Sequence, residues 1–148
     1  MSVTVAKNAG FCFGVNRAVE LVEKEALSGK QIRTLGPIIH NRHQVERFRQ
    51  MGVEVIETPE EAVPGDTVII RSHGVARAVY QQLEQRGVEI LDATCPFVKR
   101  IHGIVSAAEE EGRLPVIIGT RVHPEVEGLP DGAVSTVSSR TWRNWKTG

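Results

Sequence analysis

Hydrophobic positions along the chain follow two alternating rhythms. Short β-branched runs at Val3–Ala6, Ile32–Leu35, Val53–Ile56, Thr67–Ile70, Glu89–Leu91 and Pro115–Ile118 predict strands. Stretches with helical spacing predict helices over Val15–Leu27, Arg42–Met51, Ala76–Arg86 and Pro96–Glu111. The first helix puts Val15, Ala18, Val19, Val22 and Ala26 on one stripe. The third turns Val79 and Leu83 inward, and the last lines up Val98, Ile101, Val105 and Ala108. Local punctuation agrees. Asn41 suits an N-cap with Gln44 at the capping-box position, and Gly52, Gly87 and Gly112 follow helix ends. Pro64-Gly65-Asp66 marks a turn, and Pro96 suits a first helical turn, where no intrahelical donor is needed. Alternating strands and helices predict an α/β fold on a parallel sheet.

After Gly128 the rhythm stops. Leu129–Gly148 holds Pro-Asp-Gly, a Ser/Thr-rich stretch and both tryptophans, without an apolar period. Three segments result: 1–95, an N-terminal strand plus a first α/β unit; 96–139, a partial second unit; and 140–148, a disordered or out-of-frame tail. Read one base earlier, a set of codons for Arg140–Gly148 encodes an acidic amphipathic peptide. A one-base deletion near Ser139 is therefore the expected origin of the tail.

Composition narrows the function classes. Lys plus Arg and Asp plus Glu are both 18, so no basic face for nucleic acid is expected. No apolar run approaches the roughly 20 residues of a membrane helix, and Met1–Lys7 lacks the apolar core of a secretory signal. The chain is placed in the cytoplasm. Its 2 cysteines make no disulfide framework.

The soft and titratable side chains follow the strands. Cys12 lies in Gly10-Phe11-Cys12-Phe13-Gly14, His40 in Gly36-Pro37-Ile38-Ile39-His40-Asn41, and His73 in Ser72-His73-Gly74. Cys95 lies in Asp92-Ala93-Thr94-Cys95-Pro96, and His123 and Glu125 in His123-Pro124-Glu125-Val126-Glu127-Gly128. Parallel α/β folds bind ligands outside the carboxyl ends of their strands, so five segments aim Cys, His or Glu at one edge. Singly, each cysteine also suits a small buried hydrophobe, and His40 and His73 suit capping or buried hydrogen bonding. Cys95 is the better placed thiol, at a helix N-terminus that favours thiolate. His43 and His102 read as ordinary helix residues. Paired zinc-site spacing, a P-loop and a dinucleotide glycine motif are all missing from the sequence. Cys–His nucleophilic catalysis and a phosphate site both stay open.

Taken together, Ala9–Val15 with Arg17-Ala18, Gly36–Asn41, Ser72–Val75, Asp92–Pro96 and His123–Gly128 resemble the 4-hydroxy-3-methylbut-2-enyl diphosphate reductase family, in its order and spacing. The resemblance runs from Val3 to about Gly128 and extends to Val134–Ser139. It implies three α/β units around a [4Fe–4S] cluster held by three cysteines, of which this chain has one complete unit and one partial unit. It implies Cys12 and Cys95 as cluster ligands, His40, His73 and His123 as substrate-binding residues and Glu125 as the proton donor. The implied reaction is reductive dehydroxylation of the diphosphate substrate to isopentenyl and dimethylallyl diphosphates. The implied electron donor is a ferredoxin or flavodoxin-type partner. Two departures stand out. Thr120-Arg121-Val122 is unusual before His123, and no third cysteine follows Cys95. The chain alone is therefore expected to be inactive. The competing expectation is a non-catalytic remnant or a phosphate- or metal-binding module.

Overall fold

The computed structural model describes residues 2–7, 9–118, 120, 123–129 and 135–137, the last three as backbone. Four parallel strands form the main sheet in the order β2-β1-β3-β4: β1 (Ile32–Leu35), β2 (Glu54–Ile56), β3 (Thr67–Ile70) and β4 (Glu89–Asp92). The register pairs Thr34 with Val55 and Ile69, and Ile69 with Leu91. β3 is buried along its whole length, which explains its unbroken run of Val and Ile after Thr67.

Side chains alternate across a strand, so β3 feeds two cores. Ile69 packs with Ala18 and Val22 of α1 (Phe13–Ala26) and Phe48 of α2 (Arg42–Gln50). Val68 and Ile70 pack on the opposite side with Leu35, Ile56 and Leu83, the last from α3 (Arg77–Gln85). The parallel three-layer unit expected for the first part of the chain is thus present. Beyond it, α4 (Pro96–Glu110) leads to β5 (Val116–Ile118), the short α5 (Pro124–Glu127) and β6 (Ser135–Val137). β5 and β6 pair in parallel as a second, two-stranded sheet.

Several boundaries and faces differ from expectation. Val3–Ala6 forms no strand: Val3 and Val5 are exposed, and the segment pairs with no strand among the described residues. α1 starts two residues earlier than its apolar stripe, because Cys12 is extended (φ -68, ψ 165) and its carbonyl accepts from Asn16 N–H at 2.9 Å. Asn41 caps α2 as expected, its Oδ1 accepting from Gln44 N–H at 3.1 Å. The reciprocal box is elsewhere: in the 3-10 turn Pro59–Glu61, the Glu61 carboxylate accepts from the N–H groups of Glu57 and Thr58, both at 2.9 Å.

α4 shows the largest discrepancy. Val98 and Val105 are buried, but Ile101 is 52% exposed. At about 100° per residue, Val98, His102, Val105 and Glu109 share one line, and Ile101 lies to its side. The buried face is therefore partly polar. Apolar periodicity placed its centre one residue too early and read His102 as an ordinary helix residue, whereas its ring is half-buried. The expectations for Arg121, Val122 and residues 140–148 lie outside the described residues.

Candidate active site

The loops leaving three strands continue to touch one another beyond the sheet. After β1, Gly36 turns with φ 68, a left-handed conformation that suits glycine. Ile38 and Ile39 are buried there, leaving His40 exposed at the rim. After β3, Ser72 N–H donates to the Ile38 carbonyl at 3.3 Å. After β4, Cys95 N–H donates to the Ser72 carbonyl at 2.9 Å. This lateral chain of backbone bonds sets His40 and His73 side by side, with ring centroids 4.8 Å apart and planes inclined at 40°.

α5 adds the other two candidates. His123 is its N-cap, and its Nδ1 accepts from Glu125 N–H at 3.3 Å. Burial lowers the His73 pKa, the positive charges of His40 and Arg71 push the same way, and the nearby Glu125 carboxylate opposes them. His40, His73, His123 and Glu125 thus belong to one cluster.

The two cysteines stand at the starts of two helices. Cys12 caps α1 and Cys95 caps α4, and neither side chain is used in a capping hydrogen bond. Both thiols are free. Gly14, two residues from Cys12, lies against Cys95 so closely that a Cβ there would stand 2.5 Å from the Cys95 Sγ. His40, His73 and Cys95 therefore fall at the carboxyl edge of the four-stranded sheet, with the start of α1, next to Cys12, against Cys95. Among the described residues, no group of three or more His, Cys, Asp or Glu side chains is arranged to hold a metal ion.

Sequence reasoning passed over the residues that hold Cys95 in place. Arg17 on α1 donates to the carbonyls of Thr94 and Asp92, both at 3.2 Å. Asp92 pairs with Lys99 Nζ at 2.6 Å and accepts from Thr94 N–H at 2.8 Å. Burial would raise the Asp92 pKa, but the hydrogen bonds from Lys99 and Thr94 outweigh it and lower the value. Tyr80 also faces Asp92, and burial together with that negative charge pushes its phenol to about 12. The signal available in the sequence was Arg17, one helical turn after the Cys12 loop, facing an Asp three residues before a Cys. Behind these loops lies a cleft of about 430 Å³, lined in part by Val75, Tyr80, His102, Ser106 and Gly128.

The buried histidines set a pH dependence. His73 and His102 both have pKa values below 6.5, in each case chiefly through burial. As pH falls through 6.5 the unfolded chain takes up protons that the folded chain refuses, so the unfolded state binds more protons and stability drops. Stability from these two groups is expected to be complete above pH 6.5 and to decline below it until their folded pKa values are passed. Urea midpoints at several pH values, compared with a His73→Gln/His102→Gln variant, check this. Equal acid sensitivity in both proteins would remove these histidines as its cause.

Residues 3–140 match the family described as LytB protein. The chain belongs to the LytB family. It is 47% identical over 133 residues to the 4-hydroxy-3-methylbut-2-enyl diphosphate reductase of Caldanaerobacter subterraneus subsp. tengcongensis, covering 87% of this chain and 46% of that protein. It is 46% identical over 130 residues to the Aquifex aeolicus protein of the same name, covering 86% and 44%. A solved structure of (E)-4-hydroxy-3-methyl-but-2-enyl diphosphate reductase superposes with a TM-score of 0.74 at 35% identity, covering 96% of this chain and 61% of the other. The reductase from Plasmodium falciparum gives a TM-score of 0.82 at 27% identity, covering 88% and 42%. The chain thus spans about half the length of the curated LytB relatives it matches. None of its described helices is long and apolar enough to cross a membrane.

Proposed function

We propose that this LytB chain contributes two cluster thiolates and most of the diphosphate pocket of a cytoplasmic 4-hydroxy-3-methylbut-2-enyl diphosphate reductase. One observation carries the reading. Hydrogen bonds linking Ile38, Ser72 and Cys95 set a helix-capping thiol beside the His40–His73 pair, with His123 and Glu125 in the same cluster.

The donor set suits an iron–sulfur group. Cys12 and Cys95 end in free thiols at the N-termini of two helices, and thiols are the ligands such clusters take. They would hold two irons of a [4Fe–4S] cluster, with a third cysteine from beyond the present sequence. Such a cluster supplies electrons and an open iron that acts as a Lewis acid.

The remaining steps belong to side chains of this chain. His40, His73 and His123 bind the diphosphate. His73, held neutral near pH 7 by its burial, offers a single N–H donor. Glu125 gives a proton to the departing hydroxyl, which leaves as water. Two electrons and a second proton complete the replacement of C–O by C–H, and the product is isopentenyl or dimethylallyl diphosphate. A ferredoxin or flavodoxin-type protein supplies the electrons.

The test is anaerobic reconstitution with ferrous iron and sulfide, metal counting, and turnover with a reduced donor. It compares the 148-residue chain with one extended by the remaining half of the Aquifex aeolicus relative. The extended chain is expected to carry four irons and turn over substrate, and the shorter one to do neither. An extended chain that held the cluster but reduced no substrate would overturn the reading. Retained diphosphate binding would then favour a binding module.

A further inference from the structure

His102 is where three elements meet. Its Cε1 lies 3.0 Å from where a Cβ on Gly74 would stand and 3.3 Å from where one on Gly128 would stand. The Gly128 position is in turn 3.4 Å from the Gly74 carbonyl carbon. Gly74 has φ 76, so both its backbone shape and its neighbours call for glycine. The ring of His102 is thus slotted against two bare backbones: the loop carrying His73 and the end of the turn carrying Glu125. No side chain would fit between them.

The ring's polar atoms are specific too. Its Nε2 is buried with no partner among the described residues. The Glu125 backbone also lies close enough to the ring to favour its protonated form. With Nε2 unpartnered, Nδ1 is the ring nitrogen left to face the Glu125 carbonyl. His102 also lines a cleft with Ser106 and Tyr80.

We propose that His102 is a positioning residue that holds the Glu125 turn against the His73 loop through its Nδ1–H and its contact with Gly74 and Gly128. The inference rests on the reading of Glu125 as proton donor only for its catalytic consequence. The mechanical claim stands on contacts within this chain.

Hydrogen exchange by NMR on the 148-residue chain tests it. The reporters are the amides of Val126, Glu127 and Gly128, which bond to His123 and Pro124 carbonyls. His102→Leu keeps the bulk and loses the donor. It is expected to speed exchange at these amides about threefold to tenfold, with β1 and β3 unchanged. His102→Asn places an N–H near the Nδ1 position and is expected to restore most of the protection. Unchanged exchange in the leucine variant, equal acceleration throughout the sheet, or no rescue by asparagine would each overturn the proposal. A parallel titration with inorganic diphosphate keeps the two readings apart. Wild-type amides that ignore diphosphate would count against the pocket assignment, while the exchange data still judge His102.

Discussion

Glu125→Gln in a chain extended to the length of its LytB relatives is expected to lower turnover by about 10²–10⁴-fold, the usual worth of a positioned proton donor. The iron content and visible spectrum are expected to stay as in the parent protein. The reason is the division of labour along the sheet edge. Glu125 lies on α5 with His123 and enters the electrostatics of His73, while Cys12 and Cys95 occupy the N-cap positions of α1 and α4. Glutamine keeps the shape and the Glu125 N–H bond to His123 Nδ1, which is a backbone bond, so the turn itself is expected to persist. Only the transferable proton is lost. Cys12→Ser and Cys95→Ser provide the opposite pattern: loss of iron together with loss of turnover. Kinetics, iron counting and absorption on the three variants give the comparison. Normal turnover by the glutamine variant would remove Glu125 as donor.

The positions of His40, His73 and Cys95 could be anticipated because each follows a strand of the main sheet, and strand ends in a parallel sheet share an edge, whereas Cys12 follows no strand among the described residues and His123 and Glu125 follow β5 of the second sheet. β1 and β3 were placed to the residue, since buried strands carry continuous β-branched runs bounded by turns. What the sequence hid depends on three-dimensional neighbours. Val3–Ala6 has strand-like residues but no partner strand among the described residues. Ile101 continues an apolar stripe, yet α4 packs along the Val98–Val105 line, which favours His102. Arg17 is an ordinary helix cation until its guanidinium is found on two carbonyls of the Cys95 loop. Such side-chain-to-backbone links span more than seventy residues and leave no local period to read.

Gly14→Ala is expected to disturb Cys95 more than the substitution's size suggests. Judged by local propensity, alanine should help. Gly14 lies in the first turn of α1, is not among the positive-φ glycines, and alanine is the better helix former by about 1 kcal/mol. Packing opposes this. The new Cβ would stand 2.5 Å from the Cys95 Sγ, 3.1 Å from its Cβ and 3.7 Å from its Cα. Rotating the thiol relieves the first contact but not the second, so α1 and the start of α4 must also separate slightly. Arg17 resists that separation by bonding α1 to the carbonyls just before Cys95. Overpacking of this kind costs about 1–3 kcal/mol, enough to outweigh the propensity gain. The rotated thiol also leaves the position against α1 from which Cys95 would serve the proposed cluster. Two readouts check this: the urea midpoint, and the rate at which a thiol reagent labels Cys95 in a Cys12→Ala background. Gly103→Ala on α4 is the control. No atom lies within 4 Å of its added Cβ, so it should stabilise slightly and leave labelling unchanged. If Gly14→Ala matched that control in both stability and labelling, the close approach of α1 to Cys95 would not constrain the thiol.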